Sequence, residues 1–195
     1  MAASSPVSAE RLAFWRRRLH RHAESGLSEF WTTAFLASEL AAAGFDVQVG
    51  EQVMDRASLM GQADATTQAA RLEQARAWGA DPAWLERMDG LTGLVVDLRP
   101  DLPPHTAIRF DIDAVDVRES RDSDHFPAAQ GFASLAPDCA HACGHDGHAA
   151  IGLGVALELA ARKDRLRRNV RLIFEPGEEG SRGARPMLNA GVARG

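Results

Sequence analysis

The 195-residue sequence predicts an α/β fold: a mixed, mostly parallel sheet flanked by helices, with a helical insertion. Two observations carry this. Short β-type runs alternate with segments of helical periodicity along the chain. The composition, 45% hydrophobic and 25% charged, is that of a globular protein able to bury one sizeable core with a small appendage.

The elements follow in order. Ser8 is placed to cap a first helix, with Glu10 in its first turn and Leu12, Phe14, Trp15 and Leu19 on its apolar side. Arg16, Arg17, Arg18 and Arg21 read as its solvated face. A second helix is predicted over 28–43, with Phe35, Leu36 and Leu40 inward and Gly44 as its stop. Residues 45–49 alternate and predict a strand. Residues from about 55 to 90 are rich in Ala, Gln and Arg, anchored by Trp78, Trp84 and Leu85; they predict the helical insertion. Strands are predicted over 92–98 and 106–111, with Pro103 and Pro104 breaking the chain between them. Residues 114–140 read as a long irregular loop. A helix over 147–162 is small and apolar throughout, so burial is expected. Residues 170–174 predict a strand that delivers Glu178 and Glu179 at its C-terminal end. A last helix spans 184–189, where Pro186 is tolerable only in the first turn.

Several function classes are excluded. The formal net charge of −5 gives no basic field for nucleic acid. No apolar window approaches a membrane span, and the first six residues show no signal peptide, so the expected location is the cytoplasm. Cys139 and Cys143 lie four apart in a Gly-containing loop, which suits a reducing compartment and a metal or reactive role better than a bridge. No Gly-x-Gly-x-x-Gly follows a strand, no Walker-type loop occurs, and no serine sits in a Gly-x-Ser-x-Gly elbow. Gly152 and Gly154 fall within a helix and read as close-packing positions.

The chemistry concentrates in two stretches: His141-Ala142-Cys143-Gly144-His145-Asp146-Gly147-His148 and Glu175-Pro176-Gly177-Glu178-Glu179-Gly180. Gly144 lets the Cys143 thiolate and the His145 imidazole converge on one point; both are ordinary ligands for zinc or manganese-class ions. Glu179 adds an oxygen ligand. Glu178 is expected to point elsewhere and act as a base. Alone, a Cys-x-His or a Glu-Glu pair is usually incidental; together, at the mouths of predicted elements, they favour a metal-dependent hydrolase. Cys139 reads as a packed loop thiol. His141 and His148 are intermediate, and His148 could serve only to orient the loop. Asp146 reads as a helix N-cap, with a hydrogen bond to a ligand histidine as the other option. Asp111 and Asp113, two apart at a strand end, could steady a ligand imidazole, although a turn cap explains them alone. Asp116 reads as a loop residue, His20 and His22 as surface or helix-end residues. His105 and His125 carry no distinct signal.

These motifs resemble the aminoacylase and carboxypeptidase superfamily of metallopeptidases, in its amidohydrolase branch. The resemblance rests on His-Ala-Cys-Gly-His-Asp at 141–146, Asp-x-Asp-Ala at 111–114 and Pro-x-Glu-Glu-Gly at 176–180, and extends to residues 15–26 and to the insertion around Met60, Gly61 and Trp84. It implies a dinuclear zinc-peptidase-like catalytic domain. Cys143, His145 and Glu179 would be metal ligands, Glu178 the general base, and Asp113 a support for the site. The implied reaction is hydrolysis of the amide joining p-aminobenzoate to glutamate, a folate breakdown product. The implied cofactor is manganese, two ions in a complete site; the thiolate alone would favour zinc. The implied partner is a homologous second subunit or a second copy. Two departures stand out. Gly177 replaces the usual alanine, and members of the branch are longer, with a second, smaller lid or dimerisation domain and further histidine ligands. No histidine follows His148. Residues 1–195 are therefore expected to be the N-terminal part of the catalytic domain, inactive as an amidase alone. The alternatives are a hydrolase of other N-acyl amino acids or indole-acetyl conjugates, and a non-catalytic metal-binding or subunit-interaction module.

Overall fold

A computed structural model describes residues 6–194. Helix α1 (Ala9–Arg21) begins as expected, with the Ser8 hydroxyl accepting from the Arg11 amide. Helix α2 (Phe30–Ala42) starts two residues later than predicted and has no side-chain cap of its own. Instead the buried Glu24 carboxylate accepts from the amides of Trp31 and Thr32, at 2.9 and 2.8 Å. Gly44, at φ 88°, takes the left-handed conformation that ends the helix.

Strand β1 (Val47–Val49) is followed by the insertion, which is helical as expected: α3 (Ala65–Ala77) and α4 (Pro82–Met88), capped by Asp64 and Asp81. Both pack on α2, and Trp84 and Leu85 join the main core. Strands β2 (Leu94–Asp97) and β3 (Pro104–Asp111) come next, and the backbone of His105 lies in β3. The expected irregular loop contains one short helix, α5 (Phe126–Ala129). Helix α6 (His145–Ala160), strand β4 (Asn169–Glu175) and helix α7 (Ala184–Asn189) complete the order.

The sheet order is β1-β2-β4-β3. It is mixed, as predicted, but parallel pairing does not predominate among the described strands. Only β3 and β4 pair parallel; β1–β2 and β2–β4 are antiparallel. The reason is topological. Only β3–α6–β4 is a right-length crossover unit, whereas the insertion returns the chain to the end of the sheet that β1 had reached.

Both faces of the sheet are covered. Leu94, Val96, Leu172 and Phe174 point into a core shared with α1, α2 and α6. Val95 and Ile173 point the other way, to Leu27, Val53, Met54, Leu91, Met187 and Val192. Helix α6 is not buried all round as predicted: Ile151 remains 52% exposed. Its sheet-facing side is tight. A Cβ on Gly152 would sit 2.5 Å from Cε1 of the fully buried Phe174 and 3.0 Å from Phe110. Gly152→Ala is therefore expected to lower unfolding stability by about 1–3 kcal/mol through overpacking, read by denaturant titration.

Candidate metal centre

The parallel pairing of β3 and β4 sets Asp111 opposite Glu175. Each strand then releases its chain into a loop at the same sheet end. Helix α6 starts there as well, because Gly144 at φ 92° serves as its N-cap in a left-handed conformation. The cap is thus glycine and not Asp146, which sits inside the first turn. His145 projects from the first residue of the helix into the space between the two loops.

His145 is the hub. Its Nδ1 donates to the Asp113 carbonyl at 3.0 Å and lies 3.2 Å from Asp113 Oδ1. Its Nε2 faces four groups: Asp111 Oδ2 at 3.2 Å, Glu178 Oε2 at 3.7 Å, Glu179 Oε1 at 3.8 Å and, through Asp111, the His148 imidazole, whose Nδ1 is 3.3 Å from Asp111 Oδ2. Cys143, His145 and Glu179 present ligand atoms all within 4.8 Å of one another. Asp111, His145 and His148 form a second set that is equally close. The two sets share one imidazole. The expectation that Glu178 points away from Glu179 does not hold: both carboxylates, each partly exposed, lie within 3.8 Å of the same imidazole nitrogen.

Asp113 has no exposed surface and takes the Glu179 amide on Oδ2 at 3.0 Å. Burial works to raise its carboxyl, but the His145 imidazole and the amides of Glu179 and Glu178 outweigh it and hold the group below the usual carboxylate range. For His145, burial disfavours the charged ring, yet Asp113, Cys143 and Asp111 push it up to about 11. A raised histidine and a depressed aspartate of this kind form an ion pair without metal.

Arg109, which belongs to none of the sequence motifs, ties the acids together. Its guanidinium pairs with the buried Glu175, with Asp111 at 3.0 Å and with Glu178 at 3.7 Å. Its only sequence signal was its position two before Asp111, on the same side of β3.

His20 and His22 are not surface residues. His20 is buried between Asp146 and Glu119, each at 2.8 Å, and Arg16 reaches the same Asp146 oxygen at 3.1 Å. His22 stacks on Trp31 with ring centroids 3.8 Å apart and donates Nδ1–H to the Arg18 carbonyl at 2.7 Å. Both surprises arise from long-range packing that helix position alone does not encode. His125 likewise carries a contact, 2.9 Å from Glu119, and the Asp116 carboxylate accepts from Ser25. Cys139 is the packed thiol expected, among Ala23, Ala114 and Ala136, with burial pushing it up to about 12. His141 is buried with neither ring nitrogen bonded among the described residues, and burial pushes it down to about 4.

Residues 107–195 match the peptidase family M20/M25/M40. Over 91% of its length the chain is 47% identical to an indole-3-acetyl-aspartic acid hydrolase of Enterobacter agglomerans, covering 41% of that protein. It is 44% identical over 94% of its length to a p-aminobenzoyl-glutamate hydrolase subunit of Escherichia coli, covering 43%. Among solved structures, an aminobenzoyl-glutamate utilization protein from Klebsiella pneumoniae superposes with a TM-score of 0.77 at 39% identity, over 94% of this chain and 41% of that one. A Bacillus subtilis dinuclear metal binding peptidase of the M20 family gives 0.68 at 30% identity, over 95% and 40%. The chain thus spans less than half the length of these relatives.

The His145–Asp113 pair makes a pH prediction for the metal-free chain. The histidine contribution is fully present below its ordinary pKa of about 6.5 and lost as pH rises through the raised folded value; the aspartate contribution is present above about 4 and lost below it. The stability gap between wild type and Asp113→Asn is expected to be widest between those ordinary values and to shrink toward alkaline pH. Denaturant titrations over pH check this, and a pH-independent gap would contradict the pairing.

Proposed function

We propose, from the match of residues 107–195 to peptidase family M20/M25/M40, that this protein is the metal-site portion of a metal-dependent amidohydrolase acting on p-aminobenzoyl-glutamate. The observation that carries the proposal is the convergence of Cys143, His145 and Glu179 within 4.8 Å at the mouth of a parallel strand pair. A thiolate, an imidazole and a carboxylate are a chemically sound donor set for a divalent ion. The substrate is taken from the names of the relatives from Escherichia coli and Klebsiella pneumoniae.

In this reading Cys143, His145 and Glu179 hold the ion, and a bound divalent ion would supply Lewis acidity toward the amide and toward water. Asp113 is a positioning residue: by taking Nδ1–H it turns Nε2 of His145 to the cation space. Glu178 is the base, with a carboxylate 3.7 Å from the Arg109 guanidinium. Manganese is the proposed metal, two ions in the complete centre, with zinc the alternative that the thiolate suits. A homologous second subunit is the proposed partner, because the Escherichia coli relative is named as one of the subunits of its hydrolase. Among the described residues no helix is long and apolar enough to cross a membrane; a cytoplasmic setting is proposed.

A second substrate reading has its own support. The Enterobacter agglomerans relative, at 47% identity, is named for indole-3-acetyl-aspartic acid. Both names describe an amide of an acidic amino acid, so the shared class is an N-acyl acidic amino acid.

Two measurements test this. Titration of the chain with Mn²⁺ and with Zn²⁺ is expected to show binding that Cys143→Ala abolishes; undiminished binding in that variant would remove the thiolate from the centre. We expect the 195-residue chain to show no amidase turnover alone. A chimera joining it to the part of the Escherichia coli relative that it does not match is expected to release p-aminobenzoate from p-aminobenzoyl-glutamate faster than it cleaves indole-3-acetyl-aspartate. In that chimera Glu178→Gln should lower kcat by about 10²–10⁴-fold. The opposite substrate order would favour the second reading.

A further inference from the structure

Glu29 sits at the N-terminus of α2, fully buried, outside both motif loops. Its carboxyl accepts from the Thr92 hydroxyl at 2.6 Å and from the Gly177 amide at 2.7 Å. The Gly177 amide opens the loop that carries Glu178 and Glu179. Two residues on, the Glu179 amide goes to the other buried carboxylate, Asp113, at 3.0 Å. The loop backbone is therefore held from both sides of Glu178.

The surroundings leave this backbone little room. A Cβ on Gly93, at φ 90°, would meet Pro176 Cδ at 2.6 Å, and one on Gly26 would come within 2.9 Å of Gly177 Cα. A Cβ on Gly183 would overlap the Pro176 carbonyl oxygen at 1.6 Å. The Gly93 amide itself donates to Thr33 Oγ1 at 3.0 Å, so the start of α2 grips both the 92–93 turn and residue 177. Burying a carboxyl is costly unless its oxygens are bonded, and here both bonds point at the segments that frame the loop.

We infer that Glu29 is a positioning residue for the metal loop: its carboxyl clamps the Gly177 amide so that Glu178 and Glu179 both present their carboxylates to His145. The inference rests on reading those two glutamates as base and ligand. A glutamine can make the same two contacts, accepting from Gly177 with its carbonyl and donating to Thr92, whereas alanine makes neither.

The test uses the whole chain with Mn²⁺ or Zn²⁺ as probe, and two readouts: affinity by calorimetric titration, and amide exchange resolved to peptides. Glu29→Ala is expected to weaken metal binding by about 10–100-fold and to speed exchange in the 175–180 segment, with Glu29→Gln restoring both. Unchanged affinity and exchange in a folded Glu29→Ala protein would overturn the inference, as would uniformly faster exchange that Glu29→Gln does not rescue. Should the alanine variant not fold, Thr92→Val, which removes only the hydroxyl partner, takes its place; faster exchange confined to 175–180 supports the clamp, and no change there overturns it. Cys143→Ala keeps the two readings apart. If that variant still binds metal, the centre is misassigned, and the exchange data alone decide on Glu29.

Discussion

The parallel pairing of β3 with β4 is the constraint on which the centre depends. It places Asp111 level with Glu175, and every donor near His145 leaves the fold within a few residues of one of these two strand ends or from the first turn of α6. In α/β sheets, clefts form outside the carboxyl ends of parallel strands, where chains diverge. Here that rule operates with a single parallel pair. The two antiparallel strands on the other side supply core and not cleft: Leu94 and Val96 are buried against α2 and α6, and Val95 against the opposite layer.

The pairing creates an electrostatic problem. Asp111, Asp113, Glu175, Glu178 and Glu179 crowd one end of the sheet, and like charges at such spacing repel. Two cations answer them directly. Arg109 joins Asp111, Glu175 and Glu178. His145 faces Asp111, Asp113 and both loop glutamates. A third cation, Arg182, donates to the Gly61 carbonyl and so brings the insertion against the loop's far side. A divalent ion held by the His145 imidazole would displace a proton from it, so metal binding and loss of that proton would be linked.

Much of this was legible from residue order, and the reasons differ by element. Helix α7, the capped start of α1 and the small-residue contacts of Gly152 are local or nearly local consequences of composition. The convergence of Cys143, His145 and Glu179 was legible because each sits at the mouth of an element whose type is readable. What was not legible depends on distant pairs. Glu29 carries no signal of its own in the sequence, and nothing adjacent to it announces Thr92 or Gly177. His20 looked like a helix-end residue because its partners, Glu119 and Asp146, lie far along the chain. The predominance of antiparallel pairing was hidden for the same reason: alternation of strand and helix does not reveal which way an inserted pair of helices returns the chain.

These distant pairs share a design. Four of the buried acids near the cleft are bonded to a helix start or to a backbone amide. Glu24 takes the first amides of α2, Glu29 takes Gly177, Asp113 takes Glu179, and Asp146 takes Gly147 together with His20. A carboxylate bonded to backbone amides fixes chain position without adding a flexible partner, and it gains from the helix dipole where the amides begin a helix. The His20–Asp146 contact shows what this accomplishes. Asp146 follows His145 directly, so fastening its carboxylate to α1 fixes the rotation of the first turn of α6. That rotation decides whether His145 points at Asp113 or into the core. The His145 imidazole is thus aimed by two buried acids, one taking its ring nitrogen and one anchoring its helix.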